Sequence, residues 1–413
     1  MGNRSFTILF SLYIIFGIYL YYWMEFVDEL FVAFIAIYAC MKMSLRLIPK
    51  SKPMLIWLGI AFFYLIYSLV IKSNIRVAIL DDFIMQTKPY MALFGMLCLR
   101  PRLTDENRRV LIIICIIGAL TIPPIYAASP HIEGGYIAYG HLLCGMSLAA
   151  DATVTGYAIF LLSKRESIAT KLTSIGVIML GLLAPTTKYI GALLMSIYII
   201  IFLKRPLRLN LQLLISVPLI FSLVVYLNRE DFDMYITNGV DDEVARAMLY
   251  EKLPDVLNDN IPFGSGFATY ASSNSARWYS PLYERYGLDE VWGLSKEEAT
   301  FVSDTYYPVM AQYGYAGILL FILLIIWILR KGRAVYAITH DMKRYKTVVM
   351  IVLFILIENI AGSIFIKESG VMAMILLALA LDSDSFMDEY PEIEDEDEDE
   401  DKEEIEDNEY LVD

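Results

Sequence analysis

The stretch MLIWLGIAFFYLIYSLVI (residues 54–71) contains no charged side chain. As a helix rising about 1.5 Å per residue it is long enough to cross the hydrocarbon layer of a bilayer. Similar apolar runs recur outward from it in both directions, at 5–22, 30–45, 83–99, 110–127, 136–162, 172–184, 190–203, 211–227, 309–329, 347–365 and 371–381. With 57% hydrophobic residues and a mean hydropathy of +0.54, the chain is too apolar for a soluble domain of its length. The expected fold is an all-α polytopic integral membrane protein of about 12 transmembrane helices. The first run has Arg4 at its flank and lacks a small-residue cleavage site, so it reads as a retained helix rather than a signal peptide.

Basic residues concentrate in every second connection: Lys42/Arg46/Lys50/Lys52, Arg100/Arg102/Arg108/Arg109, Lys164/Arg165/Lys171, Lys204/Arg205/Arg208, and Arg330/Lys331/Arg333/Lys343/Arg344/Lys346. By the positive-inside rule these connections and both termini face the cytoplasm. The long polar segment 228–308, between nine runs (1–227) and three (309–381), then faces outward. The net charge of -14 is dominated by residues 382–413, which hold 19 acids against the single base Lys402. Removing that -18 leaves +4 for the rest, and the block reads as a disordered, solvated cytoplasmic tail. Nothing in this charge pattern suggests nucleic acid. All four cysteines (Cys40, Cys98, Cys115, Cys144) lie inside apolar runs and read as small core residues, so the external segment must hold together without disulfides.

Chemistry outside the bilayer belongs to the long segment. Between 228 and 307 it has fifteen acids and six bases, so topology does not explain a cation retained there, such as Arg246. Asp241-Asp-Glu-Val-Ala-Arg-Ala-Met-Leu-Tyr-Glu-Lys-Leu253 has acids in its first turn and Val244, Met248, Leu249 and Leu253 along one face, the pattern of an amphipathic helix lying on the membrane surface. Pro262, Gly264 and Gly266 then form a turn that is either a plain reversal or a rim where backbone approaches a ligand. Trp278, Tyr279, Tyr283, Tyr286 and Trp292 either stack on sugar faces, anchor the interface or pack a core.

Ionisable residues at bilayer depth are costly and therefore candidates for function. Lys88 lies near the outer end of the fourth run, Arg76 in an outer connection, and Lys188 after Pro185-Thr-Thr at an outer hairpin; for the lysines the competing reading is a snorkelling side chain. Asp151 is mid-run, with His141 about two and a half turns nearer the outside, and Glu358-Asn359 lies in the eleventh run. Asp151 and Glu358 are structural locks or pocket residues, and His141 is a packing histidine or a reserve general base. No metal-ligand pattern is present.

Three quoted pieces, Arg246-Ala-Met-Leu-Tyr, Ile261-Pro-Phe-Gly-Ser-Gly-Phe267 and Ser303-Asp-Thr-Tyr-Tyr-Pro-Val-Met-Ala-Gln-Tyr-Gly-Tyr-Ala-Gly317, resemble the bacterial O-antigen polymerase and O-antigen ligase superfamily. In that family the external loop carries an arginine, a Pro-x-Gly-x-Gly turn and a closing His-Asn-x-x-Leu-x(4)-Glu-x-Gly-x-x-Gly motif. Ser303 falls on the His, Asp304 on the Asn, Tyr307 on the Leu, Gln312 on the Glu, and Gly314 and Gly317 on the glycines. Thr187-Lys188 looks like a lysine variant of the family's Ser/Thr-Arg helix start. The resemblance implies a GT-C-like fold and a cofactor-free, metal-independent glycosyltransferase that uses a polyprenyl-pyrophosphate-linked glycan and inverts the anomeric carbon.

On that reading Arg246 and Lys188 stabilise the pyrophosphate leaving group. Asp304, an N-cap candidate in competition with Thr305, is the group that orients or deprotonates the acceptor, since serine at 303 is no base at neutral pH. Gly264, Gly266, Arg76, Lys88, Tyr307 and Gln312 make up the substrate-binding set. Loss of the motif histidine favours a polymerase of undecaprenyl-pyrophosphate-linked repeat units, for O-antigen, capsule or exopolysaccharide, over a ligase. A flippase or chain-length regulator is the implied protein partner. A ligase and a transporter stay open as alternatives.

Overall fold

In a computed structural model the described residues are 3–20, 24, 26–45, 51–128, 148–184, 186–206, 239 and 244–386. Among them helix dominates and there is no strand, only one isolated bridge between Leu103 and Phe386. The helices are α1 (Asn3–Leu12, continued by a π-helical stretch Tyr13–Tyr19), α2 (Val27–Ser44), α3 (Lys52–Ile71), α4 (Arg76–Leu99), α5 (Asp105–Ala128), α6 (Leu148–Leu162), α7 (Ile168–Met179) and α8 (Thr187–Phe202). After 206 come α9 (Ala245–Asp259), the short α10 (Ser273–Arg277) and α11 (Pro281–Arg285), then α12 (Gly314–Thr339), α13 (Met342–Glu358) and α14 (Glu368–Ala380).

Among the described residues two segments are long and apolar enough to cross a membrane, Lys52–Ile71 and Asp105–Pro124. Arg4–Tyr19, Leu148–Leu162, Ile168–Leu183, Lys188–Phe202 and Glu368–Ala380 are apolar but shorter. The exterior is apolar to match: α3 exposes Ile56, Phe62, Ile66 and Val70, and α5 exposes Ile113, Ile117 and Leu120. Exposed apolar surface on this scale marks contact with lipid or another protein. The run 211–227 and His141 lie outside the described residues.

Several expected boundaries move. Helix α4 begins at Arg76, about two turns before the apolar run, because its first turns contact the 244–313 lobe. The tenth run does not start as a helix at 309. Tyr307–Gln312 is a 3-10 turn, and α12 starts at Gly314, whose φ of +64° ends the turn. The eleventh run breaks at Glu358, with a short 3-10 turn at Ile364–Ile366 before α14. Lys343, Arg344 and Lys346 are buried inside α13 rather than lying in an open connection. The tail does not begin at 382: Phe386 is buried between the Arg108 and Arg344 guanidiniums, 4.5 and 4.3 Å from its ring centroid.

The lobe 244–313 is seated on one end of the helices, here the lobe end. Its core is Leu249, Tyr270, Leu282, Tyr283, Leu288, Val291, Leu294 and Val302. The Tyr283 hydroxyl takes a hydrogen bond from the Ala271 N–H (2.9 Å) and is 2.7 Å from Ser275 Oγ. Burial raises this phenol above the ordinary tyrosine range, so it stays protonated and can donate. The seat is made by α3, α4 and the connection between them: Tyr67 donates to the Gly264 carbonyl (2.8 Å), Tyr64 to that of Tyr313 (2.9 Å) and Asn74 to that of Ala268 (2.7 Å). Buried Asp82 accepts from the Ala268 N–H at 2.7 Å.

Candidate functional site

Helix α9 starts at Ala245, the acids 241–243 expected in its first turn lying outside the described residues, and it buries Ala245, Ala247, Leu249, Val256 and Leu257. Met248 and Leu253 are half-buried beside that face, so the helix packs on the rest of the lobe and Arg246 is turned toward neighbouring chain. Its guanidinium Nη2 forms an ion pair with Asp304 Oδ2, 58 residues away. One turn further along α9, the Tyr250 hydroxyl donates to the Ile360 carbonyl at 2.7 Å. Thr305 Oγ1 lies 3.0 Å from that hydroxyl and 2.9 Å from the same carbonyl. Burial also raises the Tyr250 phenol, which keeps its proton for this bond.

The segment 303–307 is stitched to the end of α13. Ser363 Oγ donates to the Ser303 carbonyl (2.6 Å) and the Tyr307 hydroxyl to the Leu356 carbonyl (2.7 Å). Asn359 binds its own helix through Nδ2 to the Ile355 carbonyl and accepts from the Phe365 N–H, so it shapes the turn between α13 and α14. Thr305 thus serves the turn at 360, and Asp304 is left to Arg246.

Lys188, at the start of α8, completes the group. Its ammonium donates to the Ala361 carbonyl at 2.7 Å and lies 3.6 Å from Glu358 Oε2. It is within electrostatic reach of Arg246, Lys367 and Asp304 as well. Gly362 makes the space: a Cβ there would stand 2.2 Å from Lys188 Nζ. The cluster opens to the surface, because the side chains of Arg246, Lys188 and Asp304 are 18%, 19% and 40% exposed. Glu358 is buried with Oε1 lacking a hydrogen-bond partner. Arg246, Lys188 and Asp304, drawn from three distant parts of the chain, therefore share one site with Glu358. A partly exposed group of cations beside a carboxylate can bind an anion and orient or deprotonate a neighbouring hydroxyl.

The remaining candidates fall elsewhere. Lys88 is buried and its ammonium is held by Asp28 and, at 2.6 Å, by Glu29, a buried ion pair that ties α4 to α2. The N–H groups of Gly264, Ser265 and Gly266 are already bonded to the carbonyls of Asn260 (2.8 Å), Ala311 (3.0 Å) and Gln312 (3.0 Å). A Cβ on Gly264 would stand 2.3 Å from the Gly314 nitrogen, so the turn is a close backbone crossing rather than an open cradle for phosphate. Gln312 is buried and donates to the Tyr270 carbonyl at 2.8 Å. Tyr307 touches the site only through the bond that anchors its segment. Arg76 is exposed at the start of α4. Asp151 is buried in α6, 1% exposed, with both carboxyl oxygens lacking a hydrogen-bond partner, and is electrostatically linked to Glu368 and Lys367.

Of the aromatic residues, Tyr283 is core, Tyr286 donates to Asp259 (2.8 Å), and Trp292 is exposed against Phe301. Among the described residues no three His, Cys, Asp or Glu side chains gather as metal ligands. Sequence reading missed Tyr250, Gly362 and Lys367. Tyr250 alone had a signal, its i+4 spacing from Arg246.

No family model and no curated protein matches the chain.

Proposed function

We propose that the chain is a multi-pass enzyme of the bacterial inner membrane that polymerises undecaprenyl-pyrophosphate-linked oligosaccharide units at the periplasmic face. The observation that carries this reading is the meeting of Arg246, Lys188 and Asp304 on the lobe end. The apolar exterior and the basic connections at the opposite end support the orientation, with both termini cytoplasmic and about twelve spans in a GT-C-like arrangement.

In the proposed reaction, a terminal sugar hydroxyl of one unit attacks the anomeric carbon of the growing chain. A new C–O bond forms with inversion, the bond to the pyrophosphate oxygen breaks, and undecaprenyl pyrophosphate leaves with both electrons of that bond. Arg246 and Lys188 offset the charge growing on the leaving oxygen. Asp304 takes the acceptor's proton. The resting ion pair adds an order to these steps: a pyrophosphate that draws the guanidinium onto its own oxygens frees the Asp304 carboxylate for the hydroxyl. Tyr250, Gly362 and Asn359 position this group. Lys88, Gly264, Gly266 and Gln312 hold the scaffold and leave the substrate-binding set.

Supplied with lipid-linked repeat units, Arg246→Ala should insert normally yet leave single units unextended. Normal chain ladders from that variant would remove the assignment. A second reading, a transporter of the lipid-linked glycan, draws on buried Asp151 with its unbonded oxygens. It predicts that Asp151→Asn stops glycan export while Arg246→Ala does not. A ligase would leave long chains on the carrier lipid when lost, whereas loss of a polymerase leaves one repeat.

A further inference from the structure

We propose that Lys367 is the second phosphate contact of this site and makes it selective for a diphosphate over a monophosphate. The inference rests on the functional reading above and goes beyond it in naming a residue and a specificity.

The charged groups of the site are not equivalent. The Arg246 guanidinium is engaged by Asp304, and the Lys188 ammonium by the Ala361 carbonyl and Glu358. Lys367 is exposed, and among the described residues its side chain has no hydrogen bond and no ion pair within 4 Å. It ends the turn whose Ala361 carbonyl holds the Lys188 ammonium and whose Phe365 N–H bonds Asn359, at the residue that precedes the first turn of α14, and it lies within electrostatic reach of Lys188. An incoming anion must displace a protein partner to bind Arg246 or Lys188, but only water to bind Lys367.

A diphosphate carries two phosphoryl groups a few ångströms apart, each needing donors for its oxygens. The Arg246–Lys188 pair satisfies one of them. Lys367, on the same turn but without a protein partner of its own, is left for the other. A monophosphate would fill the first position and gain little from Lys367. The competing role is a counter-charge for Asp151, with which Lys367 also interacts; that role would affect folding and leave ligand choice untouched.

The test uses the full chain in detergent with farnesyl diphosphate and farnesyl monophosphate as probes, measured by calorimetry, with a thermal melt for each variant. The wild type should bind the diphosphate at least tenfold more tightly. Lys367→Gln should lose about tenfold in diphosphate affinity, the scale of one charged hydrogen bond, with monophosphate affinity kept. Lys367→Arg should keep the preference. Wild-type preference in Lys367→Gln, with or without a lower melting temperature, would overturn the proposal and leave the functional reading standing. Failure of the wild type to bind either probe would overturn both.

Discussion

Replacing Gly362 with alanine should disable the site without unfolding the protein. The added Cβ would sit 2.2 Å from Lys188 Nζ and 3.1 Å from the Glu358 carbonyl oxygen. Gly362 is not among the positive-φ glycines, so its backbone accepts alanine. The closest clashing atom is the tip of a flexible side chain, and the ammonium is what gives way. It then leaves the Ala361 carbonyl at 2.7 Å and loses Glu358 at 3.6 Å. A lost hydrogen bond to a charged group is worth about 1.5–3 kcal/mol. If that interaction acts on the leaving pyrophosphate in the transition state, the rate of elongation should fall by about 10- to 150-fold. Folding should suffer less, because the displaced ammonium still reaches water and stays in the neighbourhood of Glu358. The assay is elongation of a lipid-linked repeat unit by purified Gly362→Ala beside a thermal melt, with Gly362→Ser as a second variant of the same volume class. A stable Gly362→Ala protein that elongates at the wild-type rate would refute the placement of Lys188 in the mechanism.

Further expectations separate scaffold from site. Asp304→Asn should keep the contact to Arg246 and the affinity for farnesyl diphosphate, yet slow elongation by about 100-fold or more as the base is lost; unchanged turnover would leave Asp304 an orienting residue only. Lys88→Met should destabilise the protein by about 3–5 kcal/mol by leaving Asp28 buried without its cation, while any folded fraction elongates normally. Gly264→Ala should cost at least about 1–3 kcal/mol from backbone strain at φ +84°, plus the clash with Gly314, and appear as lost folded protein in a melt rather than altered substrate affinity.

How much of this was legible in the sequence depends on the kind of signal each residue carries. Helical class follows from apolar runs, which need only local composition. The ends of α4, α12 and α13 do not, since each is set by contact with the lobe rather than by hydropathy. Arg246 and Lys188 were legible because a cation is costly where topology does not explain it, and Asp304 because the resemblance fixed its register. Lys88 met the same criterion as Lys188 and came out differently. Its carboxylates, Asp28 and Glu29, sit in another helix, and no periodicity in α4 reveals them. Lys367 and Gly362 carried no signal in the sequence, since only the fold sets Gly362 against Lys188 and Lys367 within its electrostatic reach. The turn at 264–266 read as a possible cradle because glycine permits close approach to ligand and to backbone alike, and only the structure identifies the neighbour as Gly314.

The central claim is that this cation cluster receives a departing lipid diphosphate during glycan transfer. Purified full-length protein should be given one defined undecaprenyl-pyrophosphate-linked repeat unit with a chelator present, and both glycan length and free undecaprenyl pyrophosphate measured. The account predicts a ladder of lengthening chains, with one carrier lipid released for each unit added. Single units recovered intact from a protein that binds them would contradict it.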